Sequence, residues 1–164
     1  MVRGKIRISF IAACAAVLIC ASSAYAATRA ELSGVIDFSV TMRRVAEAAE
    51  GRAALPPGKF FILVGTVTEV TPLSKEEGDF SVRVRLLAGE WFGNTEVKGY
   101  SCYVTFTGSA FKALFPARVS ADSPADAIAV NTRVLTVARW TGTTLSPTGE
   151  KIAQLEGVEV RAIQ

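Results

Sequence analysis

Histidine is absent from this chain: none of its 164 residues is a histidine. That absence excludes Ser-His-Asp and Cys-His catalysis and every metal site with an imidazole ligand. Cysteine is scarce as well, with three residues at positions 14, 20 and 102. After residue 27 no apolar run approaches the ~20 residues that a transmembrane helix needs. The sequence therefore favours a binding domain over a histidine-dependent enzyme.

The N-terminus has the layout of a secretory signal peptide. A basic start, an apolar run and a small-x-small triplet follow one another: Arg3, Lys5 and Arg7, then residues 8–19, then Ala24-Tyr25-Ala26. We expect cleavage before Ala27 and a periplasmic or secreted mature protein. A lipoprotein cleavage box ending at Cys14 and retention of the leader as an N-terminal anchor are the alternatives.

Removal of residues 1–26 changes the charge and the cysteine chemistry. The chain has 18 basic and 15 acidic residues, and the leader holds three of the basic ones. The mature chain is then neutral, so it lacks a domain-wide basic footprint for nucleic acid. Only Cys102 would remain, which excludes an internal disulfide. Cys102 falls on the same face of its predicted strand as the neighbouring apolar residues, which predicts a buried, inert thiol.

The hydrophobic period changes once along the mature chain. Residues 27–39 lack a clear period and are interpreted as an N-terminal arm, and a helical period over residues 40–53 ends before Pro56-Pro57-Gly58. Period-two patterns then predict five strands. These strands cover residues 60–70, 80–86, 100–107, 132–140 and 151–163. Between the third and fourth strands we expect a helical turn near Phe111 and a short helix over residues 124–130.

This element order predicts a mainly β protein: a five-stranded closed barrel with an N-terminal helix and a short helix between strands 3 and 4. It resembles the oligonucleotide/oligosaccharide-binding (OB) fold. The segment from Gly58-Lys59-Phe60 through Gly65-Thr66-Val67, preceded by a helix, is similar to the exported tRNA-anti-like OB proteins of bacteria. Residues 61–67 also resemble netrin-like domains, although those usually carry disulfides. The resemblance covers residues 40–164, which we take as the barrel domain.

The OB resemblance implies that a ligand lies across the second and third strands. Alternation places Arg83, Arg85, Tyr103 and Thr105 on the outward face, together with Ser101. Two arginines beside a tyrosine suit stacking and anion contact. The alternative interpretation is a merely solvated strand face.

Two further aromatic residues, Trp91 and Phe92, follow the second strand in a glycine-flanked loop. We interpret them as the margin of the binding site, and the alternative is that they plug an open end of the barrel. Asp122 and Asp126 lack the spacing of a calcium loop, so they are interpreted as helix caps. No metal and no cofactor are predicted.

These observations predict an exported, non-catalytic binding module for an envelope protein or glycan. Nucleic acid is expected to be an unlikely partner, because Lys75, Glu76, Glu77 and Asp79 give the loop between strands 1 and 2 a net negative charge. Two alternatives remain open. One is a binder of single-stranded nucleic acid, by analogy of fold. The other is a histidine-free hydrolase built on a Ser-Lys dyad.

Overall fold

The computed structural model describes residues 33–76, 78–117 and 123–163. The predicted signal peptide, its cleavage site, the alternative anchor at Cys14 and most of the arm lie outside the described residues, as do Glu77 and Asp122. None of the helices within the described ranges has the length and hydropathy to cross a bilayer.

Five strands close into a barrel in the order β1-β2-β3-β5-β4. All pairs are antiparallel except β3 with β5, which run parallel. The elements are α1 (Met42–Ala49), β1 (Phe60–Ser74), β2 (Ser81–Phe92), β3 (Glu96–Thr107), a 3-10 turn (Ser109–Phe111), β4 (Arg133–Leu145) and β5 (Lys151–Ala162). This is the OB-like topology that the sequence predicted, and the prediction is confirmed.

Closure depends on β1, which is long enough to pair with two neighbours. Residues 60–66 pair with β4, and residues 66–74 pair with β2. A register shift between Val67 and Glu69 marks a bulge, which increases the local twist where the strand changes partner. At Gly65 a Cβ would lie 3.1 Å from the Leu87 carbonyl oxygen, so the strands approach closely at this bend.

The predicted alternation of β2 and β3 is present in the barrel. Val82, Val84 and Leu86 face the core from β2, and Cys102, Val104 and Phe106 face it from β3. Phe61, Leu63 and Val134 complete the buried centre. Burial of these side chains supplies the main driving force for closure.

Helix α1 covers one end of the barrel and is shorter than predicted. Thr41 caps its N-terminus, since its hydroxyl accepts a hydrogen bond from the Arg44 N–H at 3.3 Å. Met42, Val45 and Ala49 form its buried face, and the Cys102 thiol donates to the Met42 sulfur at 3.8 Å. The helix stops before Gly51, whose φ of 78° is left-handed.

The opposite end is covered by the segment between β3 and β4. The predicted helical turn near Phe111 is present as the 3-10 turn Ser109–Phe111, but residues 124–130 do not form the predicted short helix. After one turn at Pro124, the chain extends so that the Ile128 N–H donates to the Leu114 carbonyl at 2.7 Å. So short a helix gains too few hydrogen bonds to offset nucleation, and the tertiary contact prevails.

Candidate functional site

The outer side of β2 and β3 carries the residues that the sequence singled out. Arg83 lies opposite Thr105, and Arg85 lies opposite Tyr103. These pairs alternate with the core pairs, so all four side chains leave the barrel on the same side. The structure therefore brings Arg83, Arg85, Tyr103 and Thr105 together on one face.

Tyr103 lies beneath the two arginines rather than open to solvent. Its side chain is only 4% exposed. The guanidinium carbon of Arg83 lies 4.8 Å from the ring centroid, and that of Arg85 lies 6.0 Å from it. Because β3 runs between β2 and β5, long side chains from neighbouring strands cover the ring. The face thus presents two half-buried guanidinium groups supported by cation–π contact, not a bare aromatic platform.

The two arginines form no ion pair with a described carboxylate. Arg85 donates only to the Ser101 hydroxyl, at 3.4 Å. Glu69, opposite Arg85 on β1, instead accepts a hydrogen bond from the Thr71 hydroxyl at 2.7 Å. Four other arginines do pair with acids: Arg43 with Glu47 and Glu90, Arg52 with Glu50, Arg139 with Glu156, and Arg161 with Glu159.

Arg83 also has an unsatisfied donor. Its Nε is buried and has no hydrogen-bond acceptor among the described residues. A buried donor without an acceptor typically costs 1–3 kcal/mol, and more when the group is charged.

Trp91 and Phe92 end a strand instead of lying in a loop, so the predicted loop over residues 89–99 is wrong. Trp91 pairs with Val97 and Phe92 pairs with Glu96, and the turn between them contains Gly93 with a φ of 61°. The glycines that suggested a loop are accommodated within the hairpin. Trp91 is 69% exposed, which also excludes the interpretation that it plugs the barrel.

The hairpin extends the outer face beyond the arginines. Parity places Trp91 on the same side as Arg83 and Arg85, whereas Phe92 points to the other side. Exposed Leu87 and the Gly89–Gly99 pair lie between the two arginines and Trp91. The resulting surface, called the β2–β3 outer face from here on, comprises Arg83, Arg85, Leu87, Gly89, Trp91, Val97, Gly99, Ser101, Tyr103 and Thr105. The sequence analysis missed Leu87, Gly89, Val97 and Gly99, although the same period of two continues through them.

The remaining candidates have no part in this face. Cys102 points into the core, and burial raises the pKa of its thiol to about 12, as expected for an inert cysteine. Asp126 is exposed in the loop before β4. Within the described ranges there is no group of three or more acidic, cysteine or histidine residues that would hold a metal ion.

No family model matches this chain, and no curated protein matches it. Solved structures do resemble it. A small single-stranded DNA-binding protein from Streptomyces coelicolor is 17% identical, with a TM-score of 0.47, over 63% of this chain and 91% of that one. The N-terminal domain of PriB from Thermoanaerobacter tencongensis is 15% identical, with a TM-score of 0.41, over 64% and 96%. The Plasmodium falciparum SSB, in complex with single-stranded DNA, is 11% identical, with a TM-score of 0.46, over 68% and 99%.

These comparisons correct two predictions. Two of these three structures are named for single-stranded DNA, and none of the three names mentions an envelope protein or a glycan. The prediction of an envelope protein or glycan as ligand is wrong. The prediction that nucleic acid is an unlikely partner is wrong with it.

The prediction against nucleic acid was wrong because it treated the charge of the loop between β1 and β2 as if it acted on the strand face. Asp79 precedes Arg83 by four residues, which is about 13 Å along an extended strand. Exposed charges that far apart are largely screened, because the Debye length at physiological salt is about 8 Å. Glu76 and Asp79 are both exposed in the described part of this loop. Salt therefore weakens their electrostatic interaction with the arginine pair further. Arg83 and Arg85 are the cations of the face, and the neighbouring carboxylates are Glu69, opposite Arg85, and Glu156, opposite Thr105 and paired with Arg139.

Proposed function

We propose that this barrel binds single-stranded nucleic acid along the β2–β3 outer face and catalyses no reaction. The observation that carries the proposal is the pair of arginines, Arg83 and Arg85, held on the Tyr103 ring without an acidic partner among the described residues. Two of the similar structures are named for single-stranded DNA, in agreement with this proposal.

The arginine pair suits the phosphate backbone. A guanidinium offers a planar fork of donors that matches phosphate oxygens, and it is weakly hydrated compared with an ammonium group. The Tyr103 ring restricts both side chains before a ligand arrives, which lowers the entropy lost on binding.

The hairpin end of the face suits bases. Trp91 is exposed on the same side as the arginines, and the glycine pair before it is flanked by the exposed apolar side chains of Leu87 and Val97. Six residues separate Arg85 from Trp91, a distance of about 20 Å along the strand and enough for several nucleotides. Stacking on an exposed aromatic ring is worth about 1–3 kcal/mol per base and needs no particular sequence. We therefore propose little sequence preference.

Fluorescence anisotropy with a labelled oligothymidylate tests this function. The full chain is titrated at several salt concentrations between about 50 and 200 mM, and the slope of log K against log salt is measured. Arg83→Gln with Arg85→Gln should weaken binding and reduce the magnitude of that slope by about 1.4, since each lost phosphate contact on a single strand contributes about 0.7. Duplex DNA should bind more weakly than the single strand.

A matched control removes two cations elsewhere. Arg133 and Arg161 are exposed on β4 and β5, away from the proposed face. Arg133→Gln with Arg161→Gln should leave the salt slope nearly unchanged. Equal losses in both double variants would show non-specific attraction and refute the assignment of the face. Absence of saturable binding at low salt would refute the function itself.

The second part of the proposal concerns the leader and the location of the mature protein. Because residues 1–26 have the layout of a signal peptide, we propose that the mature domain begins near Ala27 and meets its strand outside the cytoplasm. Fractionation of cells that express a C-terminally tagged full chain, with mass determination of the mature N-terminus, tests it. A tagged protein that keeps residues 1–26 and stays in the cytoplasm would contradict it.

A further inference from the structure

A cavity of about 590 Å³ lies at the barrel end opposite α1. Along β3, Cys102 contacts the helix, whereas Phe106 packs against Phe111 and stacks on Phe115 of the opposite cap. The cavity lies between that cap and the ends of β1 and β2. Ile128, Ala129 and Val130 line it from the non-helical stretch that follows the turn at Pro124.

The lining combines an apolar floor with cationic side chains. Phe80, Val82, Phe115 and Ile128 are buried apolar residues of the floor, and Val70 adds a half-buried one. Two exposed lysines, Lys75 from the loop before β2 and Lys112 from the cap, also line it. No carboxylate is among the lining residues that the structure describes. An apolar space whose described lining carries positive charge and no negative charge is complementary to an anionic amphiphile.

We infer that this cavity binds a single-chain aliphatic carboxylate, with its hydrocarbon tail against the apolar floor and its head group between Lys75 and Lys112. The volume falls within the range of about 300–1,000 Å³ that is usual for pockets holding one small ligand. This site is independent of the nucleic-acid proposal, because none of its lining residues belongs to the β2–β3 outer face.

Isothermal titration calorimetry of the full chain with sodium dodecanoate tests the inference. One molecule should bind per chain. In the series octanoate, decanoate and dodecanoate, affinity should rise about fourfold for each buried methylene, as the transfer of that group from water requires. Dodecyltrimethylammonium, which has the same tail with a positive head, should bind at least tenfold more weakly than dodecanoate.

Two pairs of variants separate tail from head. Ala129 lines the cavity, so Ala129→Phe should fill it and abolish binding, whereas Ala125→Phe in the same segment, exposed and outside the lining, should not. Lys75→Glu with Lys112→Glu should weaken dodecanoate by about tenfold, the effect of two exposed ion pairs. Lys151→Glu at the start of β5 is the charge control.

Three outcomes would overturn the inference. The first is absence of saturable dodecanoate binding, and the second is unchanged binding in a folded Ala129→Phe variant. The third is equal affinity for the carboxylate and the ammonium, which would remove the role of the lysines. Circular dichroism of each variant confirms that it is folded, so loss of binding through unfolding is recognised. Oligothymidylate affinity should stay the same in all of these variants.

Discussion

Replacement of Gly157 by alanine should destabilise this barrel more than a single methyl group suggests. Gly157 on β5 pairs with Phe106 on β3 across the parallel ladder. A Cβ at this position would lie 2.2, 2.5 and 2.8 Å from three atoms of the Phe106 ring. Real Cβ atoms do not approach other heavy atoms this closely, so either the ring or the backbone must move.

The ring has little room to move, and this determines the magnitude. Phe106 is 1% exposed, and its ring lies 5.1 Å from that of Phe111 and 5.4 Å from that of Phe115. Overpacking of a filled core typically costs about 1–3 kcal/mol, and forcing a side chain off its rotamer adds about 0.5–1.5 kcal/mol. We expect Gly157→Ala to lower the free energy of unfolding by about 3 kcal/mol.

Urea unfolding followed by tryptophan fluorescence measures this change. The midpoint should fall by about 1 M or more at an unchanged m-value, because m for a small domain is about 1–3 kcal/mol/M. Gly34 has open space around its Cβ position, so Gly34→Ala is the control and should change stability by less than about 0.5 kcal/mol. Adding Phe106→Leu to Gly157→Ala should restore part of the loss. A Gly157→Ala variant within about 0.5 kcal/mol of the native protein would refute the reasoning.

Three further predictions concern the outer face and the core. Trp91→Ala should change the free energy of unfolding by less than about 0.5 kcal/mol, because the side chain is 69% exposed, yet raise the Kd for oligothymidylate roughly 5- to 150-fold. Tyr103→Phe should keep that Kd within about twofold because the ring still supports both guanidinium groups, whereas Tyr103→Leu should weaken binding, and equal Kd values for the two would contradict the cation–π role. Cys102 should react with a thiol reagent only as fast as the protein unfolds, and stability should fall as pH rises from 9.0 towards about 12, since burial raises the pKa of this thiol and only the unfolded chain ionises in that window. Reaction of Cys102 under native conditions at the rate of a free thiol would contradict its burial.

The parts of the fold that were predicted correctly are those with a local period. Alternation over residues 80–86 and 100–107 correctly assigned the inward and outward sides of β2 and β3. The apolar spacing of Met42, Val45 and Ala49 likewise identified the buried side of α1. Such patterns are legible because one strand or one helix determines them by itself.

Two predictions failed because a contact with a residue distant in sequence outweighed the local sequence preference. The glycines at 89, 93 and 99 indicated a loop, but pairing across a hairpin keeps both strands regular up to Phe92. The Ser-Pro start before residues 124–130 indicated a helix, but a backbone hydrogen bond from Ile128 to Leu114 draws that segment across the barrel mouth. In both cases a partner distant in sequence outweighed the intrinsic preference.

Only the part of the candidate site that depends on strand alternation could be predicted from the sequence. Parity placed Tyr103 outward beside the arginines, and it does lie there. Whether the ring would be open or covered depended on side chains from the neighbouring strands, and the structure shows it beneath Arg83 and Arg85. Parity also carried no information about which carboxylate each arginine would meet.

The sequence by itself determined the chemistry that this protein lacks and the side of each strand that each residue occupies. Composition excluded histidine chemistry, and a two-residue period assigned Arg83 and Arg85 to the outer surface. Only the tertiary structure decided which strands meet, so that Gly157 must be a glycine against Phe106 and a cavity remains beneath the cap. The physical reason is that alternation is a property of one strand, whereas closure, burial and charge pairing are set by contacts between residues far apart in the chain.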